Sequence, residues 1–490
     1  MRSRIRAFGW AAVVIFASGS VSEAAPAGKD CQPSPDYTCV ETEDGTFRPD
    51  PNYEGVVYDA EAQLEIYGGK HMNRNQRPLL ELGQRLYWFG PLQRNTNFMG
   101  DANPTNPQLM IFGDARIATA ANKNGKEEIG LTAFRLNLDV DLRITATERF
   151  HAFFSPLKKD AKFTRCEFFL SDASDDCIDE FEPEPETAFF EGDLGAMFGG
   201  VIGEESPFDL PIAGGLVPLL FQNGIWVEDV FLGAAFTIPS RNSAVLDISN
   251  FDVTFFVGLD RVTSAIDQNA DGDDSRIYGV TTFMDATSGY WEAGYGFTED
   301  KTGRGLEYHN LTLAFTRRYQ NWFSNSMRVL VNLGQDPDNG TKTANGAMFL
   351  FETSLITSRP SNVVPYLNLF VAIDKPQPLA RTDGILKNTG ILFESDALSG
   401  FPFLDDTGAD SMGGALGIEI LASDFGWQVV AEVAATFQHS DSDRNEEMGV
   451  GLRTQVPLTN ALILRVNTMY GIVLDTADKA GATVELRYKF

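Results

Sequence analysis

FRLNLDVDLRIT, Phe134 to Thr145, places an apolar residue at every second position. Phe134, Leu136, Leu138, Val140, Leu142 and Ile144 alternate with Arg135, Asn137, Asp139, Asp141 and Arg143. A helix would gather its apolar residues at spacings of three and four, so this stretch reads as a β-strand with one apolar and one wet face. A soluble sandwich usually turns Thr, Ser and Lys outward, whereas charge or amide fills every polar position here. A transmembrane barrel explains that pattern directly, with lipid on one side of the wall and a watery lumen on the other.

The period-two pattern returns in WQVVAEVAATF (Trp427 to Phe437), MGVGLRTQV (Met448 to Val456) and LILRVNTMY (Leu462 to Tyr470). Each is about long enough to cross a bilayer at a tilt. Aromatic residues mark strand ends at Tyr319 to Phe323, at Tyr290 and Trp291 and at Tyr366, where interfacial girdles belong. Segments at 298–307, 336–346, 375–411, 439–446 and 475–481 read as external loops; tight turns near 286–289, 318–321, 358–362, 423–426 and 458 read as periplasmic. The predicted fold is all-β, a transmembrane antiparallel up-and-down barrel over residues 108–490. Counting from 108 gives 17 candidate strands, but a chain with both ends in the periplasm needs an even number, so 16 or 18 is expected. The ambiguity lies between 158 and 250, where strands are placed only near 188–200 and 225–238.

Ahead of the barrel, Arg2, Arg4 and Arg6 precede the apolar run Phe8 to Ser18 and small residues near Ala24, so residues 1–24 read as a signal peptide. Residues 25–107 form a Pro- and Asn-rich lead-in that is either periplasmic or a plug. Helical spacing is predicted in it at Asp59 to Gly68 and at Pro78 to Gly90. The four cysteines fall into two local pairs, Cys31 with Cys39 and Cys166 with Cys177, which in an exported chain suggests two loop-clipping disulfides. The net charge of −29 disfavours nucleic acid as a partner.

The chain ends in VELRYKF, Val484 to Phe490, with Val484, Leu486, Tyr488 and Phe490 on one face. Together with the leader, the alternating strands and the TATER turn (Thr145 to Arg149), this ending resembles bacterial outer-membrane porins. The length and helical lead-in are similar to those of the alginate-export and phosphate-selective groups, and no motif fixes the subfamily. The resemblance implies that Val484, Leu486, Tyr488 and Phe490 form the signal read by the barrel-assembly machinery. It further implies a bacterial outer-membrane location, contact with membrane lipid and lipopolysaccharide, passage of small hydrophilic solutes, and a monomer or homotrimer.

A barrel this wide cannot be filled by its strand side chains alone, so function rests on what lines its narrowest point. The expected pore-lining residues are Arg135, Asp139, Asp141, Arg143, Arg328, Asn332, Arg453 and Arg465, with Arg487 beside them. They set either a transverse field or a merely solvated lumen. Segments 201–223 and 375–411 are apolar for external loops and long enough to fold inward, either as lids or as a constriction; in the second, Arg381, Asp383 and Lys387 are the charges of interest. Asp267, Asn269 and Asp271 have the alternate spacing of a calcium loop, but Tyr278 replaces the glutamate of an EF-hand. That leaves either a weaker structural calcium site or a solvated acidic turn, and no other cofactor is expected. The four histidines, His71, His151, His309 and His439, sit in no Ser- or Asp-containing catalytic motif, so a porin is favoured over an outer-membrane hydrolase or a structural barrel.

Overall fold

The computed structural model describes residues 78–83, 103 and 105–490, apart from 160–161, 170–175, 268–271, 321, 423–425 and 440–444. The expected leader, the helix over 59–68 and the pair Cys31 and Cys39 lie outside these residues. Eighteen antiparallel strands form one closed wall. In chain order the first nine are β1 Gln108–Asn124, β2 Glu127–Arg143, β3 Arg149–Phe154, β4 Pro185–Asp193, β5 Pro211–Phe221, β6 Val227–Ser243, β7 Ile248–Asp260, β8 Ser275–Ala286 and β9 Gly289–Asp300. The rest are β10 Tyr308–Tyr319, β11 Phe323–Leu333, β12 Asn345–Leu355, β13 Val363–Lys375, β14 Ser411–Leu421, β15 Gln428–Gln438, β16 Glu447–Pro457, β17 Leu462–Val473 and β18 Lys479–Lys489.

Closure is made by β1 and β18, which pair from Asp114 opposite Lys489 to Lys123 opposite Ala480. Gly113 and Phe490 then exchange both backbone hydrogen bonds, at 2.8 and 3.0 Å. The ladder therefore includes the final residue, and neither strand offers a free edge to lipid there. Around the wall the outward stripe stays open: Ile117, Phe134, Leu313, Val329, Val433, Val450 and Val484 each expose between 38 and 50% of their surface. In water such a belt would be costly; in a bilayer it is the expected outer face.

The unsettled region between 158 and 250 resolves in three parts, which fix the count at 18 rather than 16. First, β3 is short, and the wall beside β2 is continued above it by Arg165–Phe169, which pairs with Ile129 to Ala133. Second, the strand expected near 188–200 ends at Asp193 and gives way to helix α1, Leu194–Ile202. Third, 201–223 is not an inward loop, because its second half is wall strand β5. Its alternation is hidden in the sequence because both faces are apolar: one meets lipid, while Leu219 and Phe221 pack on a core inside the barrel.

Of the helix expected over 78–90 only 78–83 are described, and there the expectation is corrected, since Leu80–Gly83 is a strand paired with Gln108 to Ile111 of β1. Phe490 reaches only to Gly113, which leaves the start of β1 with bare backbone groups. The short strand takes up that edge, and pairing there outweighs the weak helical spacing.

Between β13 and β14 the chain does not stay outside. Residues 376–410 enter the lumen and build an apolar core from Leu379, Ile385, Leu386, Leu392, Phe393 and Leu404. Inward residues of the wall, among them Leu330, Met348, Leu350, Phe370 and Met469, close around it. Two wall glycines make room: a Cβ on Gly294 would stand 2.7 Å from the Trp226 ring, and one on Gly296 2.4 Å from Leu379. A second insertion, 155–164, buries Phe163 against Ala118, Ala120, Leu131 and Ala133 and reaches Leu398 of the first.

Candidate constriction and charged lumen

The inserted loop is tied to the wall by polar contacts distributed around the lumen. Gln377 donates its backbone N–H to Asn332 at 2.7 Å, and its carbonyl accepts from Asn310 and Asn332 at 2.9 and 3.1 Å. Ala380–Arg381 pairs in parallel with Val227 and Glu228 of β6. The Thr389 carbonyl accepts from Asn368 of β13. Glu432 of β15 accepts the backbone N–H groups of Ile391 and Leu392 at 3.0 and 2.8 Å, and also the Tyr366 hydroxyl. Asn122 of β1 donates to the carbonyls of Ser399 and Gly400, and Glu447 of β16 accepts from the Asp405 N–H. A loop fastened to strands from β6 through β16 and across the seam to β1 works as a diaphragm.

A recess of about 690 Å³ lies on its external side, lined by Asp396, Phe401, Phe403, Asp406, Glu447 and Lys479. Another of about 660 Å³ lies at the periplasmic end, lined by Thr147, Arg149, Glu191, Asp193, Leu219 and Phe221. Within the loop, the Arg381 guanidinium is buried 3.2 Å from Glu228, and Lys387 pairs with Asp383 at 2.6 Å. Burial pulls the Arg381 guanidinium below its ordinary value against the opposing pull of Glu228, Asp383 and Asp406. Burial likewise pushes the Asp406 carboxyl up to about 6, although Gly384 donates its N–H to it, and Asp383 and Asp405 add repulsion.

Arginines gather where the barrel closes. Arg135, Arg116 and Arg487 stand directly opposite one another on β2, β1 and β18, and Arg465 and Arg453 continue the row on β17 and β16. Asp114 accepts from Arg116 Nε at 2.8 Å, from Arg487 Nε at 2.9 Å and from Asn137 at 3.1 Å. Glu394 of the inserted loop accepts from Arg453 at 2.6 Å and lies 3.7 Å from Arg465. Arg135 bonds Asn137 at 2.7 Å and lies 5.2 Å above the Phe163 ring. Carboxylates instead mark the far wall, where Glu292 on β9 and Glu352 on β12 flank Arg328 of β11.

The remaining sequence-predicted residues fall in different places. Asp141 lies 3.8 Å from Arg149 and 4.0 Å from His151, which in turn lies 3.0 Å from Glu191. Asp139, on the same face two residues before Asp141, carries a carboxyl directly beside this group in the ladder, opposite Phe153. Arg143 donates to the Thr145 carbonyl and so braces the TATER turn, whose Glu148 is held by Asn103 at 2.7 Å. Arg328 and Asn332 point inward but are buried, the first 3.4 Å from Glu352 and the second engaged with the loop. His309 meets the Tyr295 hydroxyl at 2.9 Å. Cys166 and Cys177 form a disulfide across the hairpin Arg165–Phe169 and Asp176–Ile178. Asp267 accepts from the Ser264 N–H and hydroxyl and from the Asp274 N–H; Asn269 and Asp271 lie outside the described residues. Val484, Leu486 and Tyr488 all face outward on β18. Sequence reading missed Arg116, Glu394, Glu432 and Trp226, of which Arg116 and Glu432 carried a signal: the alternation of Asp114 and Arg116 with Ala115 and Ile117, and the place of Glu432 between Ala431 and Val433.

No protein-family model matches the chain, and no curated protein matches it. Solved structures do. OccK7 (OpdD) of Pseudomonas aeruginosa is 10% identical over 78% of this chain and 98% of its own, with a TM-score of 0.53. The outer membrane protein opdK of Pseudomonas aeruginosa is 11% identical with 78% and 98% covered and a TM-score of 0.49. Wzi of Escherichia coli, described as a carbohydrate-binding β-barrel involved in group 1 capsule assembly, is 12% identical with 77% and 84% covered and a TM-score of 0.48. At these identities the likeness is one of fold, and the first of the three carries it.

Proposed function

We propose that this protein is an outer-membrane porin that passes small hydrophilic solutes by diffusion through a lumen narrowed by residues 376–410. The observation that carries the reading is the arginine row: five cationic side chains on adjacent strands face inward beside the diaphragm. Opposed to the carboxylates of the far wall, they set a field across the lumen, and a solute with separated charges crosses it with its anionic end toward β16 to β2. A solute approaching from outside meets the acidic recess first, passes the edge of the loop beside Glu394, Arg453 and Arg465, and leaves along Arg116, Arg135 and Arg487. The chemistry is binding weak enough to release, and no bond is made or broken.

In the same reading the outward belt contacts outer-membrane lipid, and Val484, Leu486, Tyr488 and Phe490 serve as the assembly signal. Planar-bilayer recording of the purified full-length protein tests the proposal. Stepwise ion conductance that a small anionic solute reduces is expected. A sealed bilayer under all voltages, with the barrel shown to be inserted, would instead favour a structural barrel.

A further inference from the structure

Helix α1 is built inside out. Its exposed residues Leu194, Phe198, Val201 and Ile202 recur at the spacing that a soluble helix turns toward its core, while Gly195, Gly199 and Gly200 are its buried side. Val201 is 74% exposed, and Phe208 on the returning chain, also exposed, stacks on Phe198 with ring centroids 6.1 Å apart. The unit is rigidly closed. Asp193 caps the helix through the Ala196 N–H at 2.8 Å and accepts from Leu210 N–H at 3.1 Å, and Leu194 N–H donates to the Leu210 carbonyl. The glycine face is filled by that return: a Cβ on Gly195 would stand 1.9 Å from the Phe208 carbonyl oxygen, and one on Gly199 2.8 Å from that of Glu204. The apolar stripe is therefore a permanent surface of the fold.

We infer that α1 and Phe208 lie in the periplasmic leaflet of the outer membrane and dock on its phospholipids, which cover the stripe. The inference rests on the membrane placement proposed above, and three observations select this occupant. The helix joins β4 to β5 at the end of the barrel that also holds the turns 144–148, 244–247 and 287–288 and Phe490, which is the periplasmic end. It is continuous with the outer face of the wall: Met197 Cε lies 3.1 Å from where a Cβ would stand on Gly192, on the side of β4 to which Phe190 points, and Phe190 contacts the outward Phe150 at 5.1 Å. The stretch 194–203 contains no charge, while exposed Glu204, Glu205 and Asp209 follow it as a polar rim at headgroup level. A protein strand is a poor alternative: below Phe236 strand β6 no longer pairs with β5, and Pro239 blocks strand addition at that edge.

With no Lys or Arg between 193 and 210, attachment depends on apolar insertion and not on anionic headgroups. It should therefore persist in pure phosphatidylcholine and at high salt. The test places a nitroxide on Val201→Cys or Phe198→Cys in the full-length protein, reconstituted in phosphatidylcholine bilayers, and measures collision with oxygen and with a water-soluble nickel chelate. Val329→Cys on the mid-wall outer face and Glu204→Cys on the rim are the controls. Labels at 198 and 201 are expected to favour oxygen over nickel, between the two controls. A label at 201 as open to nickel as that at 204, or one shielded from both reagents by a second copy or another protein, would overturn the inference while leaving the barrel in its membrane. If Val329→Cys itself reads as water-exposed, the membrane placement fails as well.

Discussion

Glu432 is one of the wall residues that fasten the diaphragm, and its removal should loosen the loop without opening the wall. Its carboxylate accepts the N–H groups of Ile391 and Leu392, at 3.0 and 2.8 Å, and the Tyr366 hydroxyl, in a setting where only 3% of the residue is exposed. In Glu432→Ala the two backbone donors lose their acceptor, at about 1–3 kcal/mol each. Docking of the segment around 388–394 should therefore weaken by about 2–6 kcal/mol. Glu432→Gln keeps one acceptor oxygen and should lose about half of that. The barrel is held by backbone pairing among eighteen strands, which a side-chain change at Glu432 leaves in place, so its closure persists. Single-channel recording should show a larger or noisier conductance in Glu432→Ala, with a smaller effect in Glu432→Gln, and limited proteolysis from the external side should open new cuts near 388–394. Glu419→Ala, one strand away and paired with Gln428 rather than with the loop, should behave as the parent. Parental conductance and protection in Glu432→Ala would refute the reasoning, because they would mean that the other anchors alone hold the loop.

Other perturbations address the loop, the seam and the rim. Asp406 carries a carboxyl raised to about 6 in the docked loop, above its ordinary value of 3.8, so the docked state binds the proton more tightly. Docking should strengthen as pH falls through 6 and level off below about 4, by at most about 3 kcal/mol; conductance should fall over that window, and Asp406→Asn should abolish the change. Arg135→Gln removes a cation that has an amide and a ring as partners, so ion selectivity measured as reversal potential should shift toward cations while the melting temperature moves little. Replacing Cys166 and Cys177 together by Ser should make the external hairpin protease-sensitive and leave barrel melting unchanged, as the disulfide spans only 11 positions at the rim. Phe490→Ala should lower the yield of folded barrel and spare the conductance of what does fold, which in vitro refolding yields can check.

How much was legible depended on what each face of a strand meets. Phe134 to Thr145 has lipid on one side and charge on the other, and its alternation is plain. Strand β5 meets lipid on one side and the apolar loop core on the other, so Leu216, Val217, Leu219 and Leu220 read as a continuous run and the strand was lost. The same cause hides the inward role of Met348 and Leu350 on β12. Four of the five arginines of the row were legible from inward parity alone. Their clasp was not, because Glu394 comes from a loop whose path is set by tertiary packing, and nothing in local spacing says which wall strand it will meet. Helix α1 was read as strand because alternation and helical spacing cannot be told apart in so short an apolar segment.

The seam bears on the proposed role of the arginines in solute passage. Side chains directly opposite on neighbouring strands lie about 5 Å apart, and like charges so placed destabilise a sheet. Here Arg135, Arg116 and Arg487 occupy three such positions in a row, the last two of them across the closing seam. Asp114 offsets two of them through its bonds to Arg116 and Arg487. Among the described residues Arg135 has no carboxylate in hydrogen-bond contact, and it pairs with Asn137 and the Phe163 ring. Two residues further along the same inward faces, Ala118 stands opposite Ala133 on β2 with no charge between them, and across the seam it faces the carboxylate of Glu485. Between β1 and β2 the fold thus uses an uncharged pairing one step from the Arg116–Arg135 pair, which is what the proposed role of the cation row in solute passage expects.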